Sequence, residues 1–151
     1  MTDVSSLTHA ISINPATGQQ VGLYPYQSAE QLQTALAHAA SGFALWRRKP
    51  VAQRADALLA LARALRDNAT AMAEMITLEM GKPITQARGE IEKCAQLCEW
   101  YAAHGPAMLS AEATQVEGGK ARIEYRPLGP ILAVMPWNFP IWQVLRGAVP
   151  A

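Results

Sequence analysis

The sequence predicts an α/β protein, because helical periodicity in its first two thirds gives way to extended patterns and then returns. Apolar residues recur at spacings of three and four between about residues 29 and 104, which is typical of amphipathic helices. Residues 131–135 are instead a continuous apolar run, which is typical of a strand buried on both faces of a parallel sheet. A further apolar helical pattern starts at about Pro140. Helices, a buried strand and another helix favour the α/β class.

Composition limits the classes of function. The chain has 151 residues, half of them hydrophobic, so it can bury a sizeable core. Thirteen Lys and Arg residues against twelve Asp and Glu residues leave a net charge of +1, which disfavours a nucleic-acid or membrane surface. Residues 1–10 lack the basic and apolar regions of a signal peptide, and no apolar stretch is as long as a membrane span. We therefore expect a soluble cytoplasmic protein without nucleic-acid or membrane partners.

The first predicted elements are a hairpin and a helix. Residues 11–26 have the pattern of two strands around the turn-forming run 14–18. Ser28, with Gln31 three residues later, has the pattern of a capping box and predicts a helix over about residues 29–47. The apolar stripe of this helix consists of Leu32, Leu36, Ala39, Phe43 and Trp46.

Start and stop signals predict two more helices between residues 50 and 81. Pro50 suits the first turn of a second helix, and Asn68 is predicted to cap the start of a third. Gly81 followed by Pro83 is the order of residues expected where a helix ends.

A fourth helix is predicted over residues 83–104, where Gly105-Pro106 would end it. Cys94 and Cys98 are four residues apart, so they share one face of this helix and are predicted to be buried thiols. A metal site is not predicted, because His104 alone does not complete a ligand set.

The last part of the chain is predicted to be extended before it becomes helical. The pair Gly118-Gly119 predicts the turn of a second hairpin over residues 115–126. The predicted strand 131–135 and the following helix come next. Ala151 falls inside an apolar helical pattern without a stop signal, and the strand has no neighbour in the same sheet. We therefore expect the chain to be a fragment of a longer protein.

The hexapeptide at residues 135–140, Met-Pro-Trp-Asn-Phe-Pro, lies where the predicted strand ends and the helix begins. Ligands bind at this carboxyl edge in open α/β sheets. Two prolines stiffen the turn, so Asn138 can present its side-chain amide to a pocket with little loss of entropy. The alternative is an ordinary loop in which Asn138 caps the following helix.

This hexapeptide closely resembles the signature of the aldehyde dehydrogenase superfamily, and other segments match that family in the same order. The matching segments are the turn at residues 14–18, the aromatic residues Phe43 and Trp46, the Glu-x-Gly-Lys-Pro segment at 79–83 and the approach to the first nucleotide-domain strand at 125–129. The resemblance implies a truncated aldehyde-dehydrogenase-like fold: a hairpin and helices over 11–106, a hairpin resembling the oligomerisation arm at 115–126, and the first strand and helix of a Rossmann-like nucleotide-binding core at 131–151.

The resemblance also implies a reaction. In the family a cysteine thiolate attacks the aldehyde, an asparagine amide holds the oxyanion, hydride passes to NAD or NADP, and a glutamate activates water. Asn138 matches that asparagine, and Met135, Pro136 and Trp137, together with Asn138, match positions that line the cofactor cleft. The nucleophilic cysteine and the glutamate would lie beyond Ala151, so this chain alone is expected to be inactive. Cys94 and Cys98 match neither role.

Arg146 is a candidate substrate-binding residue. Its apolar neighbours predict a largely buried helix, where a guanidinium needs an anionic partner, although a surface arginine is the alternative. Bacterial succinate-semialdehyde dehydrogenases resemble this sequence in having arginine here, where it binds the distal carboxylate of the substrate. The resemblance therefore implies oxidation of succinate semialdehyde by a homo-oligomeric enzyme. The alternatives are another aldehyde substrate, an acylating or phosphate-dependent relative of the same fold, and a non-catalytic fragment that binds an intact subunit.

Overall fold

The computed structural model describes residues 8–151, which form two hairpins and five helices. The elements in chain order are β1 (His9–Ile13), β2 (Gln20–Pro25), α1 (Ala29–Trp46), α2 (Val51–Asp67), α3 (Ala69–Met80), α4 (Ile84–Met108), β3 (Glu112–Val116), β4 (Gly119–Ile123) and α5 (Pro140–Ala148). No helix in the described part of the chain combines the length and apolar character needed to cross a membrane.

The core lies among α2, α3 and α4, with α5 packed against it. Ile91, Cys94 and Cys98 on α4 are its largest fully buried side chains. The prediction that both cysteines are buried thiols is therefore confirmed, and both are free. Among residues 8–151 no cluster of three or more His, Cys, Asp or Glu side chains is arranged to hold a metal ion.

The hairpin β1–β2 forms around the predicted turn. The side chain of Asn14 accepts a hydrogen bond from the Ala16 amide, and Gly18 adopts φ +72° at the end of the turn. Positive φ is costly for residues other than glycine, so the sequence suits the turn. The hydroxyl of Tyr24 donates to a carboxylate oxygen of Glu79 at 2.9 Å, which ties the hairpin to α3.

Three predicted helix boundaries are found, although one forms for a different reason. Ser28 and Gln31 form the capping box of α1, and Gly81 ends α3 at φ +75°. Asn68 does separate α2 from α3, but its side chain does not cap α3. It donates instead to the carbonyl of Ala64 at 2.8 Å and thereby closes α2.

The predicted end of α4 at Gly105-Pro106 is wrong, because the helix continues through this pair to Met108. Proline removes one backbone donor and disfavours helical geometry in the preceding residue, partly through a clash with its Cβ. Gly105 has no Cβ, which lowers that cost. The helix therefore resumes, and the amide of Leu109 donates to the carbonyl of Gly105 at 3.1 Å.

The second hairpin forms, with its turn at Glu117-Gly118 rather than at the predicted Gly118-Gly119. Gly118 has φ +79°, the left-handed conformation that a type II turn needs at its second central residue. The strands span residues 112–123 rather than 115–126, and all their residues are exposed.

The buried strand predicted at residues 131–135 does not form in this structure. Residues 124–139, which we call the extended segment, pair with no strand among residues 8–151. Leu132 is 93% exposed and Val134 is 87% exposed. A strand forms only through hydrogen bonds to a neighbouring strand. The apolar run therefore shows that residues 131–135 need a partner strand, and residues 8–151 do not provide one.

Candidate active site

The signature hexapeptide forms the turn that enters α5. Trp137 and Asn138 occupy the turn, and both are exposed. The N-cap of α5 is Phe139, and no side chain in the loop caps the helix. The alternative in which Asn138 merely caps α5 is therefore wrong, and the Asn138 amide makes no hydrogen bond within residues 8–151.

The first turn of α5 is capped from another helix. Pro140 occupies the start of α5 and has no N–H to satisfy. The amides of Ile141 and Trp142 both donate to the same carboxylate oxygen of Glu90, each at 3.0 Å. The amide of Gln143 then makes the first intrahelical bond, to the carbonyl of Phe139 at 2.9 Å. Every amide at this helix start is therefore accounted for.

Glu90 is buried in α4 and forms an ion pair with Lys82, which is also buried. The two charges compensate each other, as buried charges must. The ammonium of Lys82 also lies 3.6 Å from the centroid of the Phe139 ring, within the range of a cation–π contact. One buried pair therefore contacts the chain on both sides of Pro140.

The other end of the hexapeptide is held by packing. The methyl group of Met135 lies against Gly147 on α5, where an added Cβ would come within 2.7 Å of the Met135 Cε. The absence of a side chain at Gly147 therefore makes room for Met135. The turn at Trp137 and Asn138 lies between Met135, which contacts Gly147, and Phe139, which contacts Lys82.

A cavity of about 280 Å³ adjoins the loop on the side of α3. Its walls are mostly apolar and rich in methionine, with the carboxylate of Glu79 as their charged group. The lining residues are Met72, Met75, Ile76, Glu79, Met80, Trp137, Pro140 and Ile141. Trp137 therefore has apolar neighbours in this cavity, although the residue is 67% exposed.

Neither cysteine is suited to be a nucleophile. Burial raises the pKa of the Cys94 thiol to about 12, and the nearby Glu90 adds to this effect. Burial also raises the pKa of Cys98. Because the thiolate is the reactive form, both side chains belong to the core and not to a reactive site.

Arg146 lies in the last turn of α5 and is exposed. The predicted burial of this helix is wrong, because α5 contains no buried residue. Arg146 forms no ion pair with any residue between 8 and 151. The burial argument for an anionic partner therefore fails, and the role of Arg146 in substrate binding stays a prediction that depends on the family resemblance.

The roles of Lys82 and Glu90 were not predicted from the sequence. A usable signal was present, because Glu90 falls on the buried stripe of α4 that contains Ala87, Ile91 and Cys94. A carboxylate at such a position needs a buried partner. Helical periodicity does not show which groups Glu90 binds, because the amides that donate to it are more than 50 residues away along the chain.

Comparison with known proteins agrees with this description. The sequence profile of the aldehyde dehydrogenase family matches residues 2–151. The chain is 58% identical to the NAD(P)+ succinate semialdehyde dehydrogenase Sad of Escherichia coli over 147 residues, which are 97% of this chain and 32% of that protein. It is 43% identical to an NADP+ succinate-semialdehyde dehydrogenase of Mycobacterium tuberculosis over 143 residues, 93% of this chain and 31% of that protein.

Solved structures give the same relationship. Succinic semialdehyde dehydrogenase from Streptococcus pyogenes, solved with NADP+ as the cofactor, superposes with a TM-score of 0.88 at 31% identity, over 93% of this chain and 31% of that one. Succinate-semialdehyde dehydrogenase from Burkholderia pseudomallei superposes with a TM-score of 0.87 at 30% identity, over 97% and 30%. The chain spans about a third of the length of the curated relatives it matches.

Proposed function

The chain belongs to the aldehyde dehydrogenase family, and we propose that the protein oxidises succinate semialdehyde to succinate with NAD or NADP as the hydride acceptor. The observation that carries this proposal is the loop at residues 135–140, whose Met135 and Phe139 contact Gly147 and Lys82 and which presents Asn138 between them. The names of the relatives support both the substrate and the acceptor.

Asn138 is proposed to stabilise the oxyanion. When a nucleophile attacks the aldehyde carbon, its oxygen gains a negative charge that it lacks in the substrate. A fixed amide donor therefore stabilises the transition state more than the ground state. The exposed and unbonded amide of Asn138 fits this role, because no neighbouring group among residues 8–151 competes for its N–H donors.

Met135, Pro136 and Trp137 are proposed to line the cofactor cleft together with Asn138. The exposed ring of Trp137 offers an apolar surface to a nicotinamide nucleotide, while the two prolines at 136 and 140 limit the motion of the turn. A preorganised loop lowers the entropy lost when the cofactor binds.

Arg146 is proposed to bind the distal carboxylate of the substrate. It lies six residues after Pro140, about 9 Å along the helix axis at 1.5 Å per residue. A long arginine side chain and a four-carbon substrate together span this distance. Its planar fork of donors matches a carboxylate, and no protein carboxylate among residues 8–151 occupies it.

The hairpin β3–β4 is proposed to mediate homo-oligomer formation. Every residue of both strands is exposed, and each strand has an unpaired edge in the described structure, which is the geometry for adding a strand from another subunit. Ala113 lies in a non-hydrogen-bonded pair with Arg122, so its N–H points to the outer edge of β3. Light scattering should show a smaller assembly when Ala113→Pro removes this edge donor, and unchanged mass would contradict the assignment.

The test of the catalytic proposal uses a chimera in which residues 1–151 replace the matching third of the E. coli relative. The chimera should reduce NAD or NADP with succinate semialdehyde. Asn138→Ala should lower kcat and kcat/KM together by roughly a hundredfold or more, for charged and uncharged aldehydes alike. Asn68→Ala, which removes an amide remote from the loop, is the matched control and should retain kcat. An active Asn138→Ala enzyme would contradict the oxyanion role.

Arg146 is tested in the same chimera with two substrates. Arg146→Ala should raise KM for succinate semialdehyde and leave an uncharged aldehyde of similar length little changed. Arg146→Lys retains the charge and should recover part of the loss. Equal losses for both aldehydes would make the arginine structural and leave the substrate an unspecified aldehyde.

The isolated 151-residue chain is proposed to be inactive, because both of its cysteines are buried thiols with raised pKa values. Turnover of any aldehyde by this chain with NAD or NADP would contradict this statement.

A further inference from the structure

We propose that the buried pair Lys82–Glu90 is a positioning device that fixes the Asn138 amide for catalysis. This inference rests on the proposed oxyanion role of Asn138 and adds two positioning residues to it. The two residues contact Phe139, Ile141 and Trp142 and not Asn138 itself. Both act through the backbone and side chain of the residues that follow Asn138.

Glu90 fixes the start of α5. One of its carboxylate oxygens accepts hydrogen bonds from the amides of Ile141 and Trp142, both at 3.0 Å. Two bonds to a single charged oxygen constrain the position of the helix start relative to α4, because a hydrogen bond to a charged acceptor is stronger than one between neutral groups. The interaction is protected from water, because the side chain of Glu90 is 1% exposed.

Lys82 fixes the residue next to Asn138. Its ammonium pairs with the other carboxylate oxygen of Glu90 and lies 3.6 Å from the centre of the Phe139 ring. Consecutive Cα atoms are about 3.8 Å apart, so a fixed Phe139 leaves Asn138 little freedom to shift. The pair therefore holds the chain at residues 139, 141 and 142, immediately after the proposed oxyanion donor.

If Glu90 only paired with Lys82, its second carboxylate oxygen would not need to accept hydrogen bonds from the start of α5. Buried ion pairs rarely stabilise a fold more than apolar residues of the same size do. Here the pair also supplies the cap that Phe139 cannot provide, because no side chain of the loop caps α5. Displacement of a catalytic group by about 1 Å can cost on the order of a hundredfold in rate, so precise placement has a kinetic value.

The test compares two neutral pairs in the chimera, because removing one charge alone would leave the other buried and unpaired. Lys82→Met with Glu90→Gln retains an oxygen that can accept from Ile141 and Trp142. Lys82→Met with Glu90→Met has similar length but no acceptor. The Gln pair should have a kcat about tenfold or more above that of the Met pair, with similar KM for the cofactor and faster amide exchange at residues 141–142 in the Met pair.

The same comparison is repeated with Asn138→Ala, where a positioning role predicts that the difference in kcat between the pairs disappears. A difference of unchanged size in that background, or no difference in either background, would overturn the positioning role and leave the oxyanion role intact. Full activity of Asn138→Ala alone would overturn both proposals. The two kinds of failure are therefore distinguishable.

Discussion

The helical core of α2, α3 and α4 and the extended segment, residues 124–139, use apolar residues in opposite ways. In the core, Ile91 and its neighbours on α4 are fully buried by partners from the same chain. In the extended segment, Leu132 is 93% exposed although it lies in the longest apolar run of its region. Hydrophobic sequence therefore shows which surfaces must be covered, while burial depends on whether a covering element is at hand.

The signature loop joins these two regions. Its turn, at Trp137 and Asn138, is exposed like the rest of the extended segment, whereas Phe139, the last residue of that segment, and Ile141 contact Lys82 and Glu90 of the core. The proposed oxyanion role of Asn138 needs this combination, because a donor must be accessible to substrate and yet hold its position.

The largest expected change in stability tests the difference in packing between the helical core and the extended segment. Ile91→Ala removes three methyl or methylene carbons from a site with 0% exposure and should destabilise the chain by about 2–5 kcal/mol. Leu132→Ala, in the extended segment, should change stability by less than about 0.5 kcal/mol. Urea unfolding followed by circular dichroism measures both. Comparable losses for the two variants would show that the extended segment is packed in solution.

A smaller effect is expected where the core meets the hairpin β1–β2. Gly81 has φ +75°, and a Cβ at this position would lie 2.8 Å from the Cγ of Pro15. Gly81→Ala should therefore destabilise the chain by about 1–2 kcal/mol through backbone strain and this contact.

Gly42 provides the matched control for Gly81. It lies inside α1, and an added Cβ would meet no atom within 4 Å. Gly42→Ala should stabilise the chain by up to about 1 kcal/mol through helix propensity. Differential scanning calorimetry should show opposite shifts in Tm, and shifts of the same sign would contradict the geometry at Gly81.

The sequence predicted what local chemistry decides. The capping box at Ser28 and the stop at Gly81 depend on residues a few positions apart, and both are found. The end of α4 at Gly105-Pro106 was wrong, because the missing Cβ of the glycine and the packing of α4 outweigh the proline. The strand at residues 131–135 was wrong because its partner is not among residues 8–151.

The candidate site shows the same difference between what a short stretch of sequence determines and what a distant contact determines. Asn138 and its neighbours were predicted because a short motif identifies them, and their roles stay predictions. Glu90 was not predicted, because its function depends on a contact with α5 across more than 50 residues. The exposure of Arg146 agrees with the surface-arginine alternative and not with the predicted burial, because its apolar neighbours lie in a helix with no buried residue.

The smallest expected effect concerns an ion-pair cluster on the surface of the core, where Arg66 of α2 bridges two carboxylates of α4. Arg66 contacts Glu92 at 2.9 Å and Glu99 at 3.0 Å. Hydrogen bonds from Arg66 hold the pKa of each glutamate below its ordinary value of 4.5. Since all three side chains are 38–46% exposed, solvent and salt weaken the contribution.

The sign of the pH dependence follows from those lowered pKa values. The unfolded glutamates take up protons at higher pH than the folded ones, so the cluster stabilises the fold fully above about pH 4.5 and loses this effect as the pH falls through the lowered values. Arg66→Met should therefore lower the urea midpoint slightly at pH 7, less in high salt, and least near pH 2. Arg63→Met, on the same helix and without an ion pair among residues 8–151, should show no such pH dependence. A difference between Arg66→Met and the unmodified chain that persists near pH 2 would mean that Arg66 supports the core through packing of its aliphatic stem, and the contrast between a charged surface and an apolar interior would then not hold at this edge of α2.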